Sequence, residues 1–217
     1  MKILRSALLA ASALAVMAAS PAAAAPKAPT MTSQVANTPL PAGMFMIDTF
    51  DSPIAPGFAF SGGLVRLGSL GAIKNVTAPP PGDKTKYLTV LGGKTATLTA
   101  ITPLKKISLY MGSPDSFNAI RFIGVGYDFT LTGSQLWQPL AATDGDQGWG
   151  RRLIYDFGGY GVTKVIFSSA RNSLEFDDLA GSYTGAVPEP ASWALMLLGF
   201  FGIGAAIRRK TQASHLA

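Results

Sequence analysis

Between residues 44 and 180 the hydrophobic and polar positions alternate with the two-residue period of a β-strand. Over 94–100 (KTATLTA), Thr95, Thr97 and Thr99 share one face and Ala96, Leu98 and Ala100 the other. Ile107, Leu109 and Met111 alternate with Ser108 and Tyr110, and Leu153, Tyr155 and Phe157 share a face within 151–157. Leu174 and Phe176 alternate with Glu175 and Asp177. Further short runs at 44–49, 64–67, 86–90, 119–123, 128–132 and 162–168 fit the same template. No apolar stripe of period 3.6 survives three turns here. About ten short strands, divided by turns rich in glycine and proline, predict an all-β fold, an antiparallel two-sheet jelly-roll-like sandwich over 44–180. Residues 25–43, rich in Ala, Pro and Thr, read as an extended linker, and 181–186 as a short tether.

Two segments break the alternation. At the start, Lys2 and Arg5 precede an unbroken apolar stretch at 7–19 (ALLAASALAVMAA). Small residues follow, with Ala22 and Ala24 placed at −3 and −1 for cleavage after Ala24. This order is that of a secretory signal peptide over 1–24. The alternative, an uncleaved anchor, requires a longer apolar run. Near the other end, 191–207 (ASWALMLLGFFGIGAAI) carries no charge, and Arg208, Arg209 and Lys210 follow it directly. At 1.5 Å per residue such a helix is about 25 Å long, the lower limit for a span. The basic triplet predicts a cytoplasmic flank, with residues 211–217 as a cytoplasmic tail. Both charge signals give one topology, with the strand-rich body outside the cytoplasm.

Charge then changes meaning. The net +6 of the chain suggests an anionic partner until the charges are located. Five of the 18 basic residues belong to the two end segments. The body holds 13 basic and 11 acidic residues, without a basic stripe, so nucleic acid is not an expected partner. With 0 cysteines and 1 histidine, His215, thiolate zinc sites, cysteine nucleophiles and His-based triads are excluded from the body. The 48% apolar content, against 14% charged, excludes a disordered chain.

Before the second apolar segment stands Val187-Pro188-Glu189-Pro190. Two prolines around one residue remove backbone donors and hold the chain extended, a form a membrane-embedded processing enzyme can bind. This tetrapeptide, the apolar segment and the RRK flank together resemble the PEP-CTERM sorting signal of Gram-negative bacteria, over 187–210. Trp193, just after the PEP element, resembles the alphaproteobacterial version. The resemblance implies an exosortase that recognises Pro188-Glu189-Pro190, a transient inner-membrane anchor at 191–207, and release to the cell surface or extracellular space. Residues 211–217 extend past the point where such signals usually stop. A second resemblance rests on Tyr87-Leu88-Thr89-Val90-Leu91-Gly92-Gly93, then ISLYMGS at 107–113, then LEFDDL at 174–179: these are similar to exosortase-sorted surface proteins with a β-sandwich body. The implied role is that of a non-enzymatic exported protein associated with exopolysaccharide or the envelope.

Candidate chemistry in the body is sparse. Trp137 and Trp149 flank a loop containing Asp144 and Asp146; aromatic faces near polar groups suit sugar stacking, and a core role for one ring is the alternative. This loop is the basis of the other functional reading, a secreted lectin-like module. Asp48 and Asp51 near the first strand, with Asp177 and Asp178 in the last, are candidate ligands for a structural Ca²⁺, as are Asp144 and Asp146; turn capping by Asp competes with both. No catalytic residue and no other cofactor is expected.

Overall fold

The computed structural model describes residues 26–36 and 38–185. The signal peptide with Ala22 and Ala24, the sorting element 187–190, the apolar segment 191–207, the basic flank 208–210 and the tail lie outside the described residues.

Eleven strands form: β1 (Thr30–Val35), β2 (Phe45–Asp48), β3 (Phe58–Gly62), β4 (Leu64–Leu67), β5 (Lys86–Val90), β6 (Lys94–Met111), β7 (Asn118–Gly124), β8 (Tyr127–Thr132), β9 (Arg151–Asp156), β10 (Val162–Ser169) and β11 (Leu174–Tyr183). Every pairing is antiparallel. The described residues contain no α-helix, only two short 3-10 turns. The ten strands expected from the alternation all form; those at 94–100 and 107–111 are two halves of β6.

The 18-residue β6 organises the molecule. Its first half pairs with β3 and β10, its second half with β9 and β11. Leu104 and Lys106 pair with the consecutive residues Tyr183 and Ser182, so Lys105 is the extra residue of a bulge. A one-residue slip exchanges the two faces of a strand. Accordingly Ala96, Leu98 and Ala100 are buried before it, and Ile107, Leu109 and Met111 after it. The eleven strands are therefore one continuous sheet that folds on itself through β6, rather than two separate sheets. One layer carries β8, β7, β10 and β3, the other β4, β5, β11, β2, β9 and β1.

The layers meet through aromatic rings. Phe167 of β10 lies 4.4 Å from Phe176 of β11, centroid to centroid, and Phe122 of β7 lies 5.2 Å from Tyr155 of β9. All four rings are fully buried. Burial of each stabilises the fold by about 1.5–3 kcal/mol, beyond which the offset ring contacts add about 0.5–1.5 kcal/mol.

Three segments differ from the sequence expectation. The linker 25–43 contains β1, which pairs with β9 from Thr30↔Asp156 to Val35↔Arg151. Prolines at 26, 29, 39 and 41 suggest an unpaired tract, but TMTSQV between them is proline-free and lays Met31 against the core. Strand β3 was not expected, since Phe58-Ala59-Phe60 shows only one and a half periods. The tether 181–186 is strand as far as Tyr183.

The fold has two distinct ends. Along β6, β10 and β7 the residues Leu104, Val162 and Gly124 are neighbours at one end, beside the exit of β11 at Tyr183. Lys94, Ser169 and Asn118 are neighbours at the other. The first is the exit end. The second carries the connections 112–117, 133–150 and 170–173 and is the loop end.

Candidate functional site

Strand β11 is central, with β5 and β2 on one side and β6 on the other. The alternation of LEFDDL suggests one buried face and one wet face. In fact Leu174, Glu175, Phe176 and Asp177 are all buried. The reason is the segment 68–85, which folds over the outer face. Tyr110 Oη donates to Pro81 O at 2.6 Å, Ala78 N to Glu175 Oε1 at 3.0 Å, and Lys86 N to Asp51 Oδ1 at 3.0 Å. Thr77 Oγ1 and Tyr87 Oη share a 3.0 Å hydrogen bond. Two polar recesses result.

The first, of about 310 Å³, lies at the loop end between residues 72–78, Asp115, Gln147, Asn172, Ser173 and Glu175. Glu175 and Asp115 are both 5% exposed. Glu175 Oε1 accepts from Ala78 N and from the Ser173 hydroxyl. Asp115 Oδ2 accepts from Ser113 Oγ at 2.6 Å. Burial pushes both carboxyls above the usual carboxylate range, against the pull of these hydrogen bonds. These two buried carboxyl groups beside Asn75, Asn172 and Gln147 make a recess suited to hydrogen bonding with hydroxyl or amide groups.

The second recess, of about 480 Å³, is lined by Asp51, Asp83, Asp177, Asp178, Lys84 and Tyr110, among others. Its shape comes from a bulge in β11. Asp177 pairs with Tyr110 and Ala180 with Ser108, so two residues face Leu109. The bulge turns adjacent aspartates toward one recess, and Asp178 takes a φ of 53°. Burial, and then the charges of Asp178, Asp83 and Asp51, push the Asp177 carboxyl up to about 8, while the Asp178 N–H bonded to it pulls the other way. Arg152 Nη2 meets Asp178 Oδ2 at 3.1 Å, and Nη1 reaches Asp178 O at 2.9 Å and Ser108 Oγ at 3.1 Å. Burial still lowers the affinity of Arg152 for its proton and raises that of Asp178. Desolvation thus outweighs the ion pair for both partners.

The candidate calcium ligands are partly brought together. Asp51, Asp177 and Asp178 line one recess, joined by Asp83, which sequence reasoning did not select. Asp48 does not join them: its Oδ1 accepts from Phe50 N at 2.8 Å and caps a turn. Among the described residues no group of three or more His, Cys, Asp or Glu is placed to hold a metal ion. Asp144 accepts from the N–H and hydroxyl of Ser116, and Asp146 from Gly148 N at 2.8 Å, so both brace the loop.

Of the two readings of the tryptophan pair, the core role for one ring is the one Trp137 takes. Trp137 is 4% exposed and packs into the core, with Trp149 edge-on at 6.4 Å. Trp137 therefore offers no ring face to a sugar; the turn 133–136 sets it under the layers, where Tyr155 Oη also donates to Leu136 O at 2.8 Å. Sequence reasoning also passed over Glu175 and Asp115. The available signal was a carboxylate on each side of Phe176 in a strand otherwise as apolar as a central one.

No curated protein matches the chain. Solved structures resemble it distantly. A mutant family 29 carbohydrate-binding module complexed with mannohexaose has a TM-score of 0.41 and 12% identity, over 67% of this chain and 94% of that one. The K2 cleaved adhesin domain of Lys-gingipain has a TM-score of 0.33 and 16% identity, over 70% and 99%. The catalytic unit of a GH87 α-1,3-glucanase from Streptomyces thermodiastaticus has a TM-score of 0.29 and 11% identity, over 61% of this chain and 27% of that one. Among family descriptions, one matches: over residues 186–210 the chain carries a PEP-CTERM protein-sorting motif.

Proposed function

We propose that this protein is exported, processed by an exosortase at the element around Pro188-Glu189-Pro190, and delivered to the cell surface or extracellular space as a non-enzymatic β-sandwich associated with exopolysaccharide or the envelope. The observation that carries the reading is the sorting motif at 186–210, beginning three residues after the last strand ends at Tyr183. The signal peptide over 1–24 brings the body across the inner membrane. The segment 191–207 holds it there transiently, with Arg208, Arg209 and Lys210 inside. The resemblance of Trp193 to the alphaproteobacterial form of the signal supports that source for the exosortase. No metal is required by this role; Asp178 acts within the fold through Arg152, and Asp177 accepts from the Asp178 N–H.

Glu189→Ala tests the reading in a host that contains an exosortase. Hydrophobicity and the basic flank are unchanged, so export and insertion persist. Processing fails, and a species longer by the tail accumulates in the inner membrane. Equal intact mass and equal fractionation of Glu189→Ala and the wild type remove the reading, because a plain anchor gives Glu189 no role.

A further inference from the structure

We infer that the exit end of the sandwich is a membrane-facing surface, seated on lipid headgroups through Ile101 and Val125 while the chain is anchored. The inference rests on the sorting reading above, because it takes 191–207 as the anchor.

Three observations meet at this end. The first is where the chain leaves. Thr184 N donates to Pro103 O at 3.0 Å, which fixes the departure of the chain beside the bend of β6. The second is reach. Ala191, the first residue of the apolar segment, stands eight residues after Tyr183. Eight residues span at most about 28 Å. The sandwich is about 26 Å long, judged from the 8 residues of β10 that run from one end to the other. To turn the loop end toward the bilayer, the connection must run back along the whole body, which uses nearly all its length. With the exit end toward the bilayer, no length is wasted.

The third observation is the surface itself. Val125 is 95% exposed and Ile101 84%, and both stand at this end. Val125 is the tip of the β7–β8 hairpin, and Ile101 lies in the bend of β6. The two belong to neighbouring parts of this end, on strands separated only by β10. Two aliphatic tips at one level, with exposed Lys105 and Lys164 nearby, match the chemistry of the bilayer boundary: apolar groups enter the acyl edge and ammonium groups meet phosphate. A consequence is that the loop end, with the Glu175–Asp115 recess, points away from the membrane.

The absence of native cysteine makes the test direct. Single variants Ile101→Cys, Val125→Cys, Val35→Cys and Ile73→Cys of the full chain carry a nitroxide label in phosphatidylethanolamine–phosphatidylglycerol vesicles. Val35 and Ile73 are exposed controls away from the exit end. Collision with oxygen, which concentrates in lipid, is compared with collision with a water-soluble nickel chelate. The expected result is a severalfold higher oxygen-to-nickel ratio at 101 and 125 than at 35 and 73. Equal ratios at all four positions, on chain that floats with the vesicles, overturn the orientation and leave the sorting reading intact. Chain that fails to float overturns the anchor and the orientation with it. Labels at 101 and 125 shielded from both reagents, and released on dilution with unlabelled chain, give the surface to a second copy and overturn the proposal.

Discussion

At the exit end the sandwich is closed by close approaches of glycine backbone to neighbouring chain. A Cβ on Gly124 would meet the carbonyl oxygen of Gly161, a Cβ on Gly161 would stand 2.7 Å from Pro103, and one on Gly181 2.9 Å from Ile47. The loop end has such approaches too, of Gly92 to Arg171 and Gly133 to Ser116, but adds buried polar side chains. Ser113, Asp115, Asn118, Ser169, Ser173 and Glu175 are all buried there, bonded to one another and to the ends of the connections. Glycine backbone this close to its neighbours leaves no room for a side chain. Polar closure is the reverse: each buried group needs its partner, and where the partners do not fill the space a recess remains. The two ends of one fold are thereby suited to different work, the exit end to seating the body and the loop end to contact with the exterior.

If polar closure holds the loop end, deleting one acceptor should cost more than any surface change. Glu175→Ala leaves the Ala78 N–H and the Ser173 hydroxyl without their partner under the segment 68–85. A buried unpaired group costs about 1–3 kcal/mol, so the pair should cost about 3 kcal/mol. Glu175→Gln keeps an acceptor at the same place and should cost under about 1 kcal/mol. Urea unfolding midpoints of the processed protein measure the difference. Equal midpoints for Ala and Gln would mean that the loop end is held by packing after all.

A smaller effect separates the bulge from both ends. The Asp177 carboxyl keeps its proton up to about pH 8 in the folded protein, against 3.8 in an unfolded chain. Below 3.8 both states are protonated, and the contribution is fully present. Between 3.8 and about 8 only the unfolded chain releases the proton, so stability falls as pH rises. Above about 8 the loss is complete. Asp177→Asn removes this slope. The variant should match the wild type near pH 4 and exceed it in stability at pH 9. Asp48, Asp115, Glu175 and Asp178 are shifted in the same direction, so the difference between the two curves, not either alone, reports Asp177. Parallel curves would show that the recess is wet enough for Asp177 to ionise normally.

Legibility in the sequence followed the range of the forces involved. Strand period is local, and residues such as Lys86–Val90 and Leu64–Leu67 have the bounds their alternation predicts. The merging of 94–100 with 107–111 was not legible, because a bulge at Lys105 permits what a simple alternation forbids. β1 escaped because its pairing partner lies more than a hundred residues away, and prolines on both sides dominate its composition. The recesses escaped for the same reason. Nothing in LEFDDL tells that residues 68–85 cover it, and Asp83 joins Asp177 only through that cover. A core role for one tryptophan was legible, but not which of the two takes it. Their type says that they are placed with care, and only the turn at 133–136 decides that Trp137 points inward.

The smallest expected effect sharpens the account of the exit end. Arg121 Nε donates to Asp128 Oδ1 at 2.7 Å, and Nη2 to Oδ2, across the hairpin that ends in Val125. The geometry is bidentate, the strongest an arginine and a carboxylate can form. The side chains are 49% and 51% exposed, so water and salt screen the pair. The Arg121 hydrogen bond holds the Asp128 carboxyl below its ordinary value, and this is the observable that responds. In Arg121→Gln the Asp128 titration, followed by NMR, should move up to the usual carboxylate range, and added salt should move the wild type the same way. The melting temperature should not change measurably, because the hairpin is seated by its backbone against Gly161 and β10 rather than by this pair. A clear fall in melting temperature, with the titration shift, would mean that the outer ion pair holds the Val125 tip in place, and the contrast between a backbone-closed end and a side-chain-closed end would fail at that hairpin.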